Sequence, residues 1–249
     1  MKTCLVIPHF NHVDAFTNFM PKLIDLGMPC IIVDDGSHQA NYDALAGLLE
    51  NADLETYFYS HGYNRGKGAT FFTAATHARG LGFTHILQID ADGQHDVSDV
   101  KNFLELSQQF PHAIISGQPH FDETAPKARL YGRKVTDFWV AIETLSFEIK
   151  DSLCGFRLYP LAELERVSDK YHIGKRMDFD TEIAVKSVWS GIPIKFIPTK
   201  VIYHENSVSH FYFLRDNILL IGLHTRLMLG MLIRAPLIIT RKIKKLILG

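Results

Sequence analysis

The sequence predicts an α/β protein built on a mostly parallel sheet covered by helices on both faces. Three observations carry that prediction. Between residues 3 and 117, short β-rich runs alternate with longer helical stretches. The runs are continuously apolar, as strands buried on both faces must be. Each is bounded by Gly, Asp or Pro and separated from the next by a helix, the spacing of parallel crossovers.

Thr3–Pro8 is the first strand, an apolar run cut by Pro8, followed by a helix near 13–27. Pro29–Asp34 is the second strand, with a helix near 40–52 after it, and Glu55–Ser60 is the third, with a helix near 67–81. Thr84–Asp90 and His112–Gly117 flank a helix near 97–110. After residue 118 the pattern turns helical (127–150), with a possible strand at 154–159, a helix at 178–190 and a strand or hairpin at 192–204. An apolar-basic stretch, 211–249, closes the chain and is expected to form amphipathic helices outside a catalytic domain of residues 1–210.

Composition narrows the class. The chain has 249 residues, 47% hydrophobic and 21% charged, which excludes disorder, and 17 Gly with 10 Pro exclude a low-complexity chain. With 26 Lys and Arg against 27 Asp and Glu, nothing suggests a nucleic-acid partner. Cys4, Cys30 and Cys154 form no CxxC pair, so neither a zinc site nor a disulfide framework is indicated. The N-terminal apolar stretch ends at Pro8, short of the ~7 residues of a secretory core, so a cytoplasmic protein is expected.

In open parallel sheets, ligands bind in the crevice beyond the carboxyl ends of the strands. Here those ends read Pro8-His9-Phe10-Asn11-His12, Val33-Asp34-Asp35-Gly36-Ser37 and Ile89-Asp90-Ala91-Asp92-Gly93-Gln94-His95, with Asn64-Arg65-Gly66-Lys67-Gly68 before a helix. On an extended chain Asp90 and Asp92, at i and i+2, point to one side. Two such carboxylates repel and call for a cation; a hard Mg²⁺ or Mn²⁺, completed by substrate phosphates, suits them. The same residues are also good turn chemistry, and Ser37 could simply cap a helix. The glycine- and cation-bearing loop at 64–68 precedes a helix N-terminus, where backbone N–H groups favour anions. It has neither Walker A spacing nor a following Ser or Thr, and GxGxxG, HExxH and GxSxG are all absent.

Taken in this order, the four motifs resemble a family 2 glycosyltransferase with a GT-A fold, closest to its dolichyl-phosphate-mannose-synthase-like branch. The resemblance continues through Ser116-Gly117 and Asp151-Ser152-Leu153-Cys154-Gly155-Phe156-Arg157-Leu158-Tyr159 and covers about residues 3–205. Phe10 and His12 stand where the family usually has Tyr and Glu. The resemblance implies an inverting transferase that takes a sugar from a nucleotide-diphospho-sugar, UDP before GDP, to a lipid-linked or membrane-proximal acceptor in envelope glycan or glycolipid synthesis. Pro8, Phe10, Asp34, Asp35, Lys67, Asp90 and Ala91 would line the nucleotide, with Gln94 nearby. Asp90 and Asp92 would hold the metal, and His204, on a closing loop after the last strand, would complete its site.

A hydroxyl acceptor needs a base, and Met177-Asp178-Phe179-Asp180-Thr181-Glu182 opens a helix with three acids. Acids at a helix start are also favoured by the dipole alone. Asp180 and Glu182 cannot share a helix face, so one of them is expected in the site. A polyprenyl-phosphate acceptor would need no base and would be positioned by cations, with Arg133, Arg157 and Arg176 as candidates. A sugar-nucleotide pyrophosphorylase would show a Gly-rich N-terminal loop, which Pro8–Asn11 is not. A non-catalytic binding module is disfavoured by Asp90, Asp92 and the acidic helix start.

The charge balance conceals a split. Residues 211–249 hold seven Lys and Arg against Asp216, a net +6, leaving 19 basic and 26 acidic residues, a net −7, in 1–210. The longest charge-free run there, Asn217–Thr225, is nine residues, short of the ~20 of a spanning helix. Arg215, Asp216, Arg226 and Arg234 fall within about a third of the helix circumference. This predicts an in-plane helix whose cationic face meets anionic lipid, on the inner face of the cytoplasmic membrane.

Overall fold

The structure, a computed structural model, describes residues 1–121, 127–201 and 213–248. Seven strands form one sheet in the order β3-β2-β1-β4-β6-β5-β7. They are β1 (Thr3–His9), β2 (Cys30–Asp34), β3 (Thr56–Ser60), β4 (His85–Gln88), β5 (Ile114–His120), β6 (Arg157–Pro160) and β7 (Ile194–Lys200). β6 alone runs against its neighbours, antiparallel to both β4 and β5. The sheet is thus mostly parallel, as expected, with one reversed strand that composition does not announce.

Period-2 alternation divides the core. Cys4 and Val6 of β1, with Ile31 and Val33 of β2, face one side; Leu5 and Ile7, with Cys30 and Ile32, face the other, all fully buried. α1 (Val13–Leu26), α2 (Gln39–Glu50) and α4 (Val100–Gln109) cover the second face. α3 (Lys67–Gly80), α5 (Lys127–Glu143), α6 (Leu161–Lys170), α7 (Phe179–Trp189) and α8 (Phe213–Leu248) cover the first. The three cysteines are buried free thiols.

Two elements differ from expectation. α5 stops at Glu143 rather than 150, because the chain turns at Leu145, a non-glycine residue with φ 51°. α6 has no counterpart among the expected elements; its apolar stripe is only Leu161, Leu164 and Val167, too short to stand out as a period.

α8 is a single 36-residue helix. Leu223, Leu227, Met231 and Ile238 lie along one face and enter the same core cluster as β1 and α7. Several of its cations reach back to the body by their tips, while Arg226, Arg241 and Lys242 remain exposed. Arg234 lies 5.0 Å from the ring centroids of both Tyr171 and Trp189. Arg241 Nη1 donates to the Trp189 carbonyl (2.5 Å), Lys242 donates to the Leu145 carbonyl, and Arg226 Nη2 pairs with Asp178 Oδ2 (3.2 Å). The physical reason is that α7 and α5 end with carbonyls lacking helical partners, which long cations on a packed neighbour satisfy. Beside these cations the exposed surface of the helix is largely apolar: Ile218, Ile221, Leu229, Leu232, Ile233, Ile239 and Ile243 are exposed. Ile218–Lys244 is, by length and composition, apolar enough to cross a membrane, contrary to what the nine-residue charge-free run implied. The side chains of Arg215 and Asp216 and the boundary at residue 210 lie outside the described residues.

Candidate active site

β1, β2 and β3 run outward in one direction while β4 lies on β1's other flank, so the order of strands switches between β1 and β4. The crevice at that switch point is built from the carboxyl ends of β1, β2 and β4. The reversed β6 adds to it, because its first residue, Arg157, is paired with the last residue of β4, Gln88. The loop that precedes β6 is thereby carried to the same edge.

Lys67 is the centre of this crevice. Its Nζ lies 2.8 Å from Asp90 Oδ1 and 3.0 Å from Asp180 Oδ2. Burial opposes the ammonium charge, but Asp180 and Asp90 outweigh it and raise the pKa of Lys67 well above the usual lysine value. Burial likewise works against the Asp90 carboxylate, yet Lys67 and, more weakly, His95 hold its pKa below the ordinary range. Gln88, fully buried at the end of β4, reaches Asp180 Oδ1 with Nε2 at 3.4 Å. Gly155 closes the wall: a Cβ there would come within 2.6 Å of Lys67 Nζ and 2.7 Å of Asp90 Oδ2. Asp92 Oδ1 accepts the Gln94 N–H (3.1 Å), which shapes the turn after β4.

The loop that sets Lys67 in place is itself organised by Asp35. Asp35 accepts the N–H of Arg65 (2.9 Å) and of Gly66 (2.7 Å), together with His61 Nδ1 (2.8 Å). The Lys175 carbonyl takes the N–H groups of Gly68 (3.0 Å) and Ala69 (3.3 Å). Gly66, at φ 100°, makes the turn into α3 and could not carry a side chain there without strain. The anion held by this N–H cluster is therefore Asp35. Asp34, fully buried, is bound by His9 Nδ1 (3.0 Å), Ser37 Oγ (2.5 Å) and the N–H groups of Gly36 (3.1 Å) and Ser37 (3.0 Å). Burial would raise its pKa, but these donors, His9 and Ser37 foremost, lower it. Asn11 ties the first two loops together, donating its N–H to Ser37 Oγ (2.8 Å) and accepting that of His38 (2.9 Å). Both aspartates expected beside a nucleotide thus shape the loops at the ends of β1, β2 and β3. Pro8 and Phe10 are half-buried at the end of β1, and Ala91 is buried after β4.

The candidate bases separate cleanly. Asp180 faces Lys67, whereas Glu182 is buried and held by the Gly174 N–H (2.6 Å) and Lys186 Nζ (2.5 Å). The three candidate acceptor cations also part company. Arg133 forms a two-toothed pair with Asp151 (Nε to Oδ2 2.9 Å, Nη2 to Oδ1 2.8 Å), and its guanidinium lies 5.1 Å from the Phe121 ring centroid. Asp151 Oδ1 in turn accepts the N–H groups of Leu153 (2.9 Å) and Cys154 (2.7 Å), linking Arg133 to the Gly155 wall. Arg157 does not face an acceptor: it is buried, and donates to the carbonyls of Asp180 (2.6 Å), Ser152 (2.7 Å) and Asp151 (3.4 Å) and to Ser116 Oγ (3.1 Å). Arg176 Nη1 donates to Asn64 Oδ1 (3.2 Å), placing it against the loop before Lys67 and away from the Arg133 pair. His204 lies outside the described residues.

Sequence reasoning missed Gln88, His95, Asp151 and Gly155. Gln88 was detectable as a polar residue at the end of a doubly buried strand. His95 is buried against the Phe156 ring (centroids 5.1 Å), with Nδ1 lacking a hydrogen-bond partner, and it feels the charges of Asp90, Lys67, Arg133 and Asp151. Asp151 and Gly155 carry no local signal beyond the motif they sit in.

Converging carboxylates and a lysine at the switch point of a parallel sheet define a group-transfer site for a charged substrate. The chain belongs to glycosyl transferase family 2, whose model matches residues 4–160. It is 28% identical over 173 residues to a dolichyl-phosphate beta-glucosyltransferase of Dictyostelium discoideum, covering 66% of this chain and 52% of that protein. The chain thus spans about half the length of that relative. It is 24% identical over 220 residues to a UDP-N-acetylglucosamine–dolichyl-phosphate N-acetylglucosaminyltransferase of Methanococcus voltae, covering 82% of this chain and 87% of that one. The crystal structure of glucosyl-3-phosphoglycerate synthase from Mycobacterium tuberculosis with Mn²⁺, UDP and glucosyl-3-phosphoglycerate superposes with TM-score 0.64 at 12% identity, covering 93% of this chain and 78% of that one. That likeness establishes the GT-A fold.

The residues present suit a divalent cation. Among the described residues no group of three His, Cys, Asp or Glu is disposed to cage a metal. Asp90 and Asp92 supply two hard oxygen donors, and a cation, the Lys67 ammonium, already sits on Asp90. This is the donor set of an ion that takes its remaining ligands from substrate phosphates and water.

Proposed function

We propose that the protein transfers a sugar, with inversion, from a UDP-linked donor to a membrane lipid acceptor bearing a phosphate. The observation that carries this reading is the two-sidedness of α5. Its inner face presents Arg133 toward the Asp151–Gly155 loop beside Lys67 and Asp90. Its outer face exposes Tyr131 (72%), Val135, Phe138 (61%) and Trp139, an aromatic stripe of the kind that rests at a bilayer surface. One helix therefore offers a cation to an anionic headgroup and an apolar seat to its lipid. The outward isoleucines and leucines of α8, which packs against α5, extend that seat. Membrane contact through 211–249 accordingly rests on the apolar face of α8, on the inner leaflet side. The dolichyl-phosphate activities named for two relatives support the same acceptor class.

Asp90 and Asp92 would hold Mg²⁺ or Mn²⁺, which when bound offsets the negative charge on the departing diphosphate. Pro8, Phe10 and Ala91 border the nucleotide, on loops set by Asp34 and Asp35. Lys67 flanks the diphosphate, and Arg133 orients the acceptor. A phosphate acceptor arrives ionised, so no residue need remove a proton, and Asp180 serves by holding Lys67. With a hydroxyl acceptor Asp180 would be the base, since Glu182 is committed to Gly174 and Lys186.

The test is transfer from labelled UDP-glucose, UDP-N-acetylglucosamine and GDP-mannose to a polyprenyl phosphate in detergent with Mn²⁺, followed by anomeric analysis. A β-linked sugar-phospholipid from an α-linked UDP donor is expected. Asp180→Asn should then lower kcat by less than about 100-fold, whereas general-base catalysis accounts for roughly 10²–10⁴-fold. Transfer to hydroxyl acceptors alone, with a loss above 10³-fold in Asp180→Asn, would overturn the phosphate acceptor.

A further inference from the structure

Lys67 has more precise placement than a residue that merely borders a diphosphate requires. Asp90 comes from the end of β4 and Asp180 from the start of α7, yet both reach one ammonium, at 2.8 and 3.0 Å. The backbone beneath Lys67 is held on both sides, by Asp35 through the Arg65 and Gly66 N–H groups and by the Lys175 carbonyl through Gly68 and Ala69. Gly155 contributes the space: any side chain there would strike Lys67 Nζ and the Asp90 carboxylate together. The carboxylate that would bind a metal is therefore already neutralised by the protein's own cation.

We propose that Lys67 is a built-in counter-ion that competes with the divalent metal for Asp90, so that the metal binds well only together with the nucleotide diphosphate. This rests on the assignment of Asp90 and Asp92 as metal-binding residues. Without donor, Lys67 offsets the mutual repulsion of Asp90 and Asp180, and a dication entering beside it meets a like charge at contact range. The diphosphate supplies negative charge that balances both cations. Lys67 then turns toward Asp180 and the phosphates, releasing Asp90 Oδ1. Lys67 is in this sense a positioning residue that orders the binding of metal and donor. It also ties the donor-side carboxylate Asp90 to the acceptor-side carboxylate Asp180.

The experiment is Mn²⁺ titration of the full chain, followed by electron paramagnetic resonance of the free ion, with and without UDP. Lys67→Met is expected to bind Mn²⁺ at least tenfold more tightly than wild type without UDP, and the gap should narrow to threefold or less when UDP is present. Lys67→Arg, which keeps the charge, should stay within threefold of wild type. Lys67→Gln, which keeps polar contact with both carboxylates, gives the same readout if the Met variant does not fold. A residue that only braces the loop would weaken metal binding when removed, the opposite sign. Unchanged or weaker Mn²⁺ binding in the neutral variants, with binding lost in Asp92→Ala, overturns the counter-ion role alone. Wild-type Mn²⁺ affinity in Asp92→Ala overturns the metal assignment and the counter-ion role with it.

Discussion

Arg157→Met separates two roles for a residue that looked, in sequence, like an acceptor ligand. The guanidinium makes two short bonds, to the carbonyls of Asp180 (2.6 Å) and Ser152 (2.7 Å), and two longer ones, to the Asp151 carbonyl (3.4 Å) and Ser116 Oγ (3.1 Å). Methionine fills much of the same volume but donates nothing, leaving those buried acceptors unpaired. A hydrogen bond to a charged group contributes about 1.5–3 kcal/mol, so loss of the two short bonds alone costs about 4 kcal/mol. That is a large part of a typical stability of about 5–15 kcal/mol. For a chain of this size, each kcal/mol moves Tm by about 2–4 °C, so Tm should fall by about 8–16 °C. Thermal denaturation and urea titration read the change directly, and acceptor KM is measured below the new Tm. Lys at the same position retains the charge without the planar fork and should fall between the two. A Met variant that melts with wild type but shows a raised acceptor KM would refute the structural role and restore Arg157 to the acceptor.

Three further perturbations test other parts of the molecule. Asp137, half-buried on α5, has its pKa pushed up to about 6 by burial and by the nearby Asp151. Its folded pKa thus exceeds the unfolded value of about 3.9, so the native state loses stability as pH rises from about 4 through 6. Asp137→Asn should therefore be more stable than wild type by about 1–2 kcal/mol at pH 7.5, the gap closing near pH 4; a gap independent of pH in urea titrations would contradict this. On α8, Lys at Ile221, Leu229 and Ile233 together should leave Tm within about 2 °C, because all three are exposed, yet cut binding to phosphatidylglycerol-containing vesicles at least tenfold. Leu227→Ala, on the buried face, should instead cost about 2–5 kcal/mol without altering vesicle binding in the folded protein.

Much of the frame was legible in the chain. The runs of β1 to β4 were readable to within a residue or two, because the buried strands β1, β2 and β4 admit little else and β3, half-buried at the sheet edge, is rich in aromatic residues. The carboxylates at the ends of β2 and β4 were visible for the same reason: charge directly after such a run must lie at the sheet edge. What each does there was less visible. Asp34 and Asp35 sit side by side, and nothing local says that one ties β1 to β2 while the other folds the loop before Lys67. Those assignments depend on N–H groups up to 31 residues away. Asp180 and Glu182 could be placed on different helix faces by counting, but which face meets the crevice depends on how α7 packs against α3.

Composition and periodicity by themselves determined an α/β chain with an acidic crevice and a basic, apolar tail, because these follow from residue type and spacing along one chain; the glycosyltransferase reading came from the resemblance of its motifs to a known family. The tertiary structure decided three things that spacing cannot express. The reversed β6 brings Asp151 and Gly155 to the carboxyl edge, since strand direction within a sheet is a property of neighbours. Lys67, Asp90 and Asp180 meet because α3, β4 and α7 converge there, across more than a hundred residues of chain. And α8 lays Leu223, Leu227, Met231 and Ile238 on the body and leaves Ile218, Ile221 and Ile233 exposed, because which stripe of a long apolar helix is covered depends on the surface it packs against.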